Sequence, residues 1–168
     1  MNLQYQRIEE LCRCLGLIQT AESYLDIAQS SSKEESSYTD FLESILKTEL
    51  LVRQNRSKSI LTRMAGFPAI KTLDDFDYDF ATGVKRQVLE GLKSLSFVEK
   101  QENVILLGPS GVGKTHIAIG LGYAATQSGI KTKFITAADL MLVLDAGLNQ
   151  GNLNSIIKVI PAASSGVF

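Results

Sequence analysis

The N-terminal part of the chain repeats apolar residues at the spacing of a helix face. Leu3, Ile8, Leu11, Leu15 and Ile18 recur at near-helical intervals, which predicts a first helix that Gly16 ends or kinks. Thr20 to Gln29, carrying Tyr24, Leu25 and Ala28, predicts a second helix, and the polar run Ser30 to Ser37 a connector. The third helix is the clearest. Tyr38, Phe41, Leu42, Ile45, Leu46 and Leu50, continued by Leu61 and Met64, form its apolar stripe. Asp40, with Glu43 three residues on, predicts its N-terminal capping box. Gly66-Phe67-Pro68 then breaks the helix. Residues 1–65 are expected to form a small all-helical domain.

The pattern changes after Gly66. Ala69 to Phe80 mixes aromatic residues with four aspartates and reads as an extended linker, 66–82. Its Phe76, Tyr78 and Phe80 either pack onto the following domain or contact a nucleotide base. Val84 to Phe97 is helical, with Val88, Leu89, Leu92 and Leu95 on one side. The short apolar run Asn103 to Leu107 reads as a buried strand, His116 to Gln127 as a helix closed by Ser128-Gly129, and Ile130 to Ile135 as a second strand parallel to the first. Leu140 to Asp145 looks at first like an apolar strand ending in a metal-holding aspartate. It follows the preceding strand too closely, because a parallel crossover needs roughly a dozen residues. Thr136 and Asp139 form a capping box ahead of it, so it is expected to be a helix with Asp145 on its surface. Leu153 to Val159 reads as a weak helical stretch, and Pro161 to Phe168 has no periodicity.

Between the first strand and its helix stands Gly108-Pro109-Ser110-Gly111-Val112-Gly113-Lys114-Thr115. It matches the phosphate-binding pattern G-x-x-x-x-G-K-[ST] at every fixed position, and strand, glycine-rich loop and helix follow in the order of the P-loop unit. The glycines allow a tight turn with no β-carbon to block a phosphate. Amides from Ser110 to Thr115 can then point at its oxygens, helped by the positive end of the helix. Lys114 is expected to reach the β- and γ-phosphates of a nucleoside triphosphate, and the Thr115 hydroxyl to ligate Mg²⁺.

Charge and cysteine content narrow the remaining classes. The third helix carries Lys47, Arg53, Arg56, Lys58 and Arg63 against Glu49. That face is either a solvated surface or a docking surface for DNA or an acidic partner. No aromatic residue is interleaved with these charges, which argues against a stacking platform for single strands. The net charge of −1 over 168 residues gives no global pull toward nucleic acid or an anionic membrane. There is no apolar run of membrane-spanning length, and the N-terminus is too polar for a signal peptide. A cytoplasmic location is the default expectation. Cys12 and Cys14 would point about 200° apart on a helix and are expected to be free thiols.

Three stretches, Phe67 to Phe80, Asn103 to His116 and Phe134 to Leu140, resemble the IstB-like transposition helper ATPases, AAA+ proteins related to the DnaC-type helicase loaders. Gln4 to Leu11 and Tyr38 to Leu42 fit the same family, and the resemblance runs to about residue 150. It implies an α/β fold: the N-terminal part of an AAA+ P-loop NTPase domain at 83–168, with parallel strands and flanking helices, preceded by the helical domain. It implies ATP and Mg²⁺ as cofactors, and Gly108, Pro109, Ser110, Gly111, Val112, Gly113, Lys114, Thr115 and His116 as the nucleotide-binding positions, with His116 in the first turn of the helix. It implies a homo-oligomer on double-stranded DNA beside a transposase, with residues 1–65 as the adaptor and 67–80 near the nucleotide. The family's Asp-Glu strand, sensor residues and arginine finger lie beyond the matched stretch. The expectation is therefore a truncated ATP-binding helper with little or no hydrolysis and no catalytic residue to name. In the family's sheet the first strand sits between the fourth and fifth, so the two strands expected here would not be neighbours. Helicase loading and a non-enzymatic interaction module are the alternative functions.

Overall fold

The computed structural model describes residues 3–79 and 83–152. The chain divides into two compact units, 1–57 and 58–168. Phe80, and the stretches Leu153 to Val159 and Pro161 to Phe168, lie outside the described residues.

The first unit is built from α1 (Leu3–Cys14), α2 (Ile18–Lys33) and the N-terminal part of α3 (Tyr38–Ala65). Gly16, at φ 69°, turns the chain between α1 and α2, and the Leu17 amide closes the turn on the Cys12 carbonyl at 2.8 Å. The Tyr24 hydroxyl donates to the Tyr5 carbonyl at 3.2 Å, and the two rings lie 6.5 Å apart. Cys12 is buried and Cys14 exposed, as their spacing on one helix requires. α2 continues through Lys33, so Ser30 to Lys33 belong to the helix rather than to the connector. The capping box of α3 also stands three residues earlier than expected. Ser37 is the capping residue, its hydroxyl 2.6 Å from Asp40 Oδ2 and accepting from the Asp40 amide at 3.2 Å.

A buried carboxylate ties α2 to α3. Glu49 is 6% exposed; it accepts from the Thr20 amide at 3.0 Å, the Thr20 hydroxyl at 3.2 Å and Arg53 Nε at 2.9 Å. Burial pushes its carboxyl up, but the bonds from Arg53 and Thr20 outweigh this and hold it below the ordinary glutamate range. Arg53 also donates to the Gly16 carbonyl at 2.8 Å. Lys47 pairs with Glu43 at 2.7 Å. The basic face read from the sequence is thus partly neutralised along its own helix.

In the second unit, α4 (Arg86–Lys93), α5 (Ser96–Glu99), α6 (Lys114–Gln127) and α7 (Ala137–Asn149) follow the end of α3. The helix expected over 84–97 is broken in two at Leu95, which takes a left-handed backbone, φ 57°. α4 packs against α6, with Leu89, Ile117 and Leu121 in the core they share. The end of α3 is bound to α6 by a relay of side chains. Gln127 Nε2 donates to Thr62 Oγ1 at 3.1 Å, and Thr126 Oγ1, 2.8 Å from Thr62 Oγ1, donates onward to the Tyr123 carbonyl at 2.7 Å. α7 begins at Thr136, whose hydroxyl accepts from the Asp139 amide at 3.1 Å. This is the capping box read from the sequence, and Asp145 is exposed on that helix.

The expected α/β class is not what this structure has. All its regular elements among the described residues are helices. Neither Asn103–Leu107 nor Ile130–Ile135 forms a strand. The reason is pairing: extended backbone becomes a strand only when a neighbour accepts its ladder of hydrogen bonds. Asn103–Leu107 makes no backbone hydrogen bond among the described residues, and the second segment bonds helices instead of a strand, through the Ile130 amide to the Ala125 carbonyl at 2.9 Å and the Phe134 amide to the Ala65 carbonyl at 2.8 Å. Side chains at 104–107 still alternate. Val104 and Leu106 pack on the core, while Ile105 and Leu107 are 77% and 89% exposed.

Candidate nucleotide-binding site

α6 starts at Lys114 because Gly113 precedes it with φ 86° and ψ 10°, a left-handed backbone that favours glycine. Gly111 shares that φ. The Ile117 amide accepts its place in the first turn by donating to the Gly113 carbonyl at 3.0 Å. The amides ahead of it have no carbonyl within the helix to bond. No acidic residue stands in the first turn, so the positive end of α6 is unopposed there. Gly108 to Gly111 and Thr115 are exposed, and Val112, Gly113, Lys114 and His116 are half-buried. The sequence-predicted residues are therefore gathered in one loop and the helix turn it feeds.

Lys114 folds back over this loop, its Nζ 2.5 Å from the Pro109 carbonyl. The ammonium is thus held across the loop by a neutral backbone acceptor, from which an anion can take it over. Alongside lies a cavity of about 810 Å³. Gly108, Pro109, Val112 and Lys114 form one side of it, and Val88, Leu92 and Leu106 the apolar side. Its size is in the range of sites for small organic ligands.

The segment before α4 is pressed against α6, and this the sequence reading left open. Phe76 is buried, and a β-carbon on Gly113 would lie 2.7 Å from its Cε2. Its ring meets Tyr78 edge-on at 5.1 Å and His116 edge-on at 5.4 Å. Of the two roles weighed for Phe76, it takes the packing one. Arg86 covers the Tyr78 ring at 5.6 Å. Farther along α6, Gly120 and Gly122 leave room for Leu73 and Phe67, which approach their missing β-carbons to 2.7 and 2.9 Å. The aromatic residues of 69–80 pointed to packing on the following domain, and the glycines at 113, 120 and 122 are where segment 67–76 meets this helix. The pairing of each with its aromatic or leucine partner could not be read from the sequence.

The match to a family model decides the relationship. The model for the IstB-like ATP binding protein matches residues 11–164. The chain belongs to this family. Among its IstB-like relatives, the chain is 38% identical, over 92% of its own length and 61% of the relative's, to a protein named for ATP binding in insertion sequence IS5376 of Geobacillus stearothermophilus. It is 34% identical, over 94% of its length and 63% of the relative's, to the corresponding protein of insertion sequence IS232 of Bacillus thuringiensis subsp. berliner. It is 41% identical to that of insertion sequence IS21 of Pseudomonas aeruginosa, over 76% of its length and 48% of the relative's. The chain thus spans about half to three-fifths of the length of these relatives.

Proposed function

We propose that the chain binds ATP at Gly108–Thr115 and serves DNA transposition as an IstB-like helper. The observation that carries this reading is the junction of loop and helix, where two glycines in left-handed backbone and Lys114 meet the unopposed N-terminus of α6. An anion lodged there would receive free amide donors and the positive helix end. Lys114 would exchange the Pro109 carbonyl for a phosphate oxygen, a stronger charged acceptor. Thr115, exposed in the first turn of α6, would offer its hydroxyl to Mg²⁺. The three relatives named above all belong to insertion sequences, which favours transposition over helicase loading. The test is titration of the full chain with a fluorescent ATP analogue and Mg²⁺. Saturable binding that Lys114→Ala weakens about tenfold or more supports the reading; equal binding by both proteins rejects it.

A second reading concerns the first unit, as the docking element for a transposase. It is favoured by Leu42, Leu46 and Leu50, which line one shallow groove on α3 and are each more than half exposed. Leu46→Asp in the full chain should abolish co-purification with a co-expressed transposase of an IS21-type element, with the far-ultraviolet dichroism unchanged. Retention of the partner by that variant would reject this role for the groove.

A further inference from the structure

His116 stands in the first turn of α6, next to the two residues expected to meet phosphate and Mg²⁺, yet its side chain turns away from the loop. Its Nε2 lies 2.8 Å from the Thr72 carbonyl. A carbonyl only accepts, so Nε2 carries the proton and donates. The same imidazole packs edge-on against Phe76 at 5.4 Å, and Phe76 in turn fills the space over Gly113. One side chain thus grips residues 72–76 at both ends, by a hydrogen bond at Thr72 and a ring contact at Phe76.

The gripped segment is itself stiff. The Thr72 hydroxyl donates to Asp75 Oδ2 at 2.6 Å and accepts from the Asp75 amide at 3.2 Å, which closes residues 72–75 into a turn. Leu73 is buried against Gly120. Asp74 is held from the other side by Lys93 of α4 at 2.5 Å. A strap therefore runs from α4 across the first two turns of α6, with contacts equally close at Gly120 and at Gly113, where the loop becomes helix.

We propose that His116 is a positioning residue for the phosphate loop: it holds residues 72–76 against Gly113 and so fixes the junction at which the loop amides are aimed. This rests on the reading of Gly108–Thr115 as the nucleotide site only for its consequence for affinity. The mechanical role stands on the contacts alone. His116 touches no phosphate in this role; it acts through Phe76 and the Thr72 carbonyl. A site held in this way loses affinity when its support loosens, even though every contacting group is still present.

The test uses the full chain and His116→Ala, His116→Phe and His116→Gln. The phenylalanine variant keeps a ring on Phe76 and removes the donor; the glutamine variant restores an N–H donor. Hydrogen–deuterium exchange is measured without nucleotide, and affinity with a fluorescent ATP analogue. In the alanine and phenylalanine variants the amides of 72–76 and 117–118 should exchange about tenfold faster, with those of α2 unchanged. The analogue should bind about tenfold more weakly to both, and the glutamine variant should recover at least half of each loss on a logarithmic scale. Unchanged exchange at 72–76 and 117–118 in His116→Phe overturns the proposal. So does a glutamine variant no better than alanine. If the unmodified chain fails to bind the analogue, the nucleotide reading of the loop falls, and the exchange data alone decide the positioning role.

Discussion

Phe76 and Gly113 are matched to each other: the phenylalanine ring occupies the space a β-carbon at 113 would need, 2.7 Å from its Cε2. Gly113→Ala therefore faces two penalties, the clash and the left-handed backbone at φ 86°. Together they should lower stability by about 1–3 kcal/mol, read from urea denaturation. Adding Phe76→Leu should recover the part due to the clash and leave the part due to φ. Full recovery in the double variant would show that the backbone carries no strain.

Thr115 gives a prediction that separates metal from phosphate. Its side chain is exposed and makes no hydrogen bond among the described residues, so Thr115→Ala should leave the melting temperature unchanged within about 2 °C. On the proposed reading it should abolish the gain in ATP affinity that Mg²⁺ brings, while binding measured in EDTA stays as before. Calorimetric titration with and without Mg²⁺ checks this. An unchanged Mg²⁺ dependence would remove Thr115 from the metal's ligands.

Acid should weaken the first unit through Glu49. Its folded carboxyl is held below the ordinary glutamate value near 4.5, so it contributes stability that is fully present above that value and is lost as pH falls through the lowered folded one. Asp40, lowered by its bonds from Ser37, acts in the same direction. Glu49→Gln should cost about 1–3 kcal/mol at neutral pH, because the Thr20 and Arg53 donors lose a charged acceptor. It should also flatten the acid limb of the stability–pH curve, followed by helix dichroism in urea. An acid limb as steep in the variant as in the parent would place the titrating group elsewhere.

Leu121 and Leu107 make a matched pair in the second unit. Leu121 is fully buried and Leu107 is 89% exposed. Leu121→Ala should cost about 2–5 kcal/mol through the cavity it leaves. Leu107→Ala should stay within about 0.5 kcal/mol. Comparable losses at both positions would mean that residues 103–107 are packed on both faces in solution.

Much of this protein could be read locally. Helix-period stripes, Gly16, Gly66 and Gly129 as stops, and Thr136 with Asp139 as a start all depend on residues within a few positions of one another, and so did the placing of the glycine-rich loop directly before a helix. The cap of α3 lies three residues before the expected Asp40, because Ser37–Asp40 and Asp40–Glu43 satisfy the same spacing. Only the hydroxyl of Ser37, close enough to bond Asp40 both ways, separates them.

What the sequence by itself determined is where the helices run and where the phosphate-loop pattern stands, because periodicity, capping and glycine backbone are short-range properties. The tertiary structure decided the rest. It left 103–107 and 130–135 unpaired, since a strand depends on a neighbour that local pattern cannot supply. It buried Glu49 beneath Thr20, twenty-nine residues away. And it laid Phe76 over Gly113 and the Thr72 carbonyl on His116, contacts between segments about forty residues apart that arise only when the core closes.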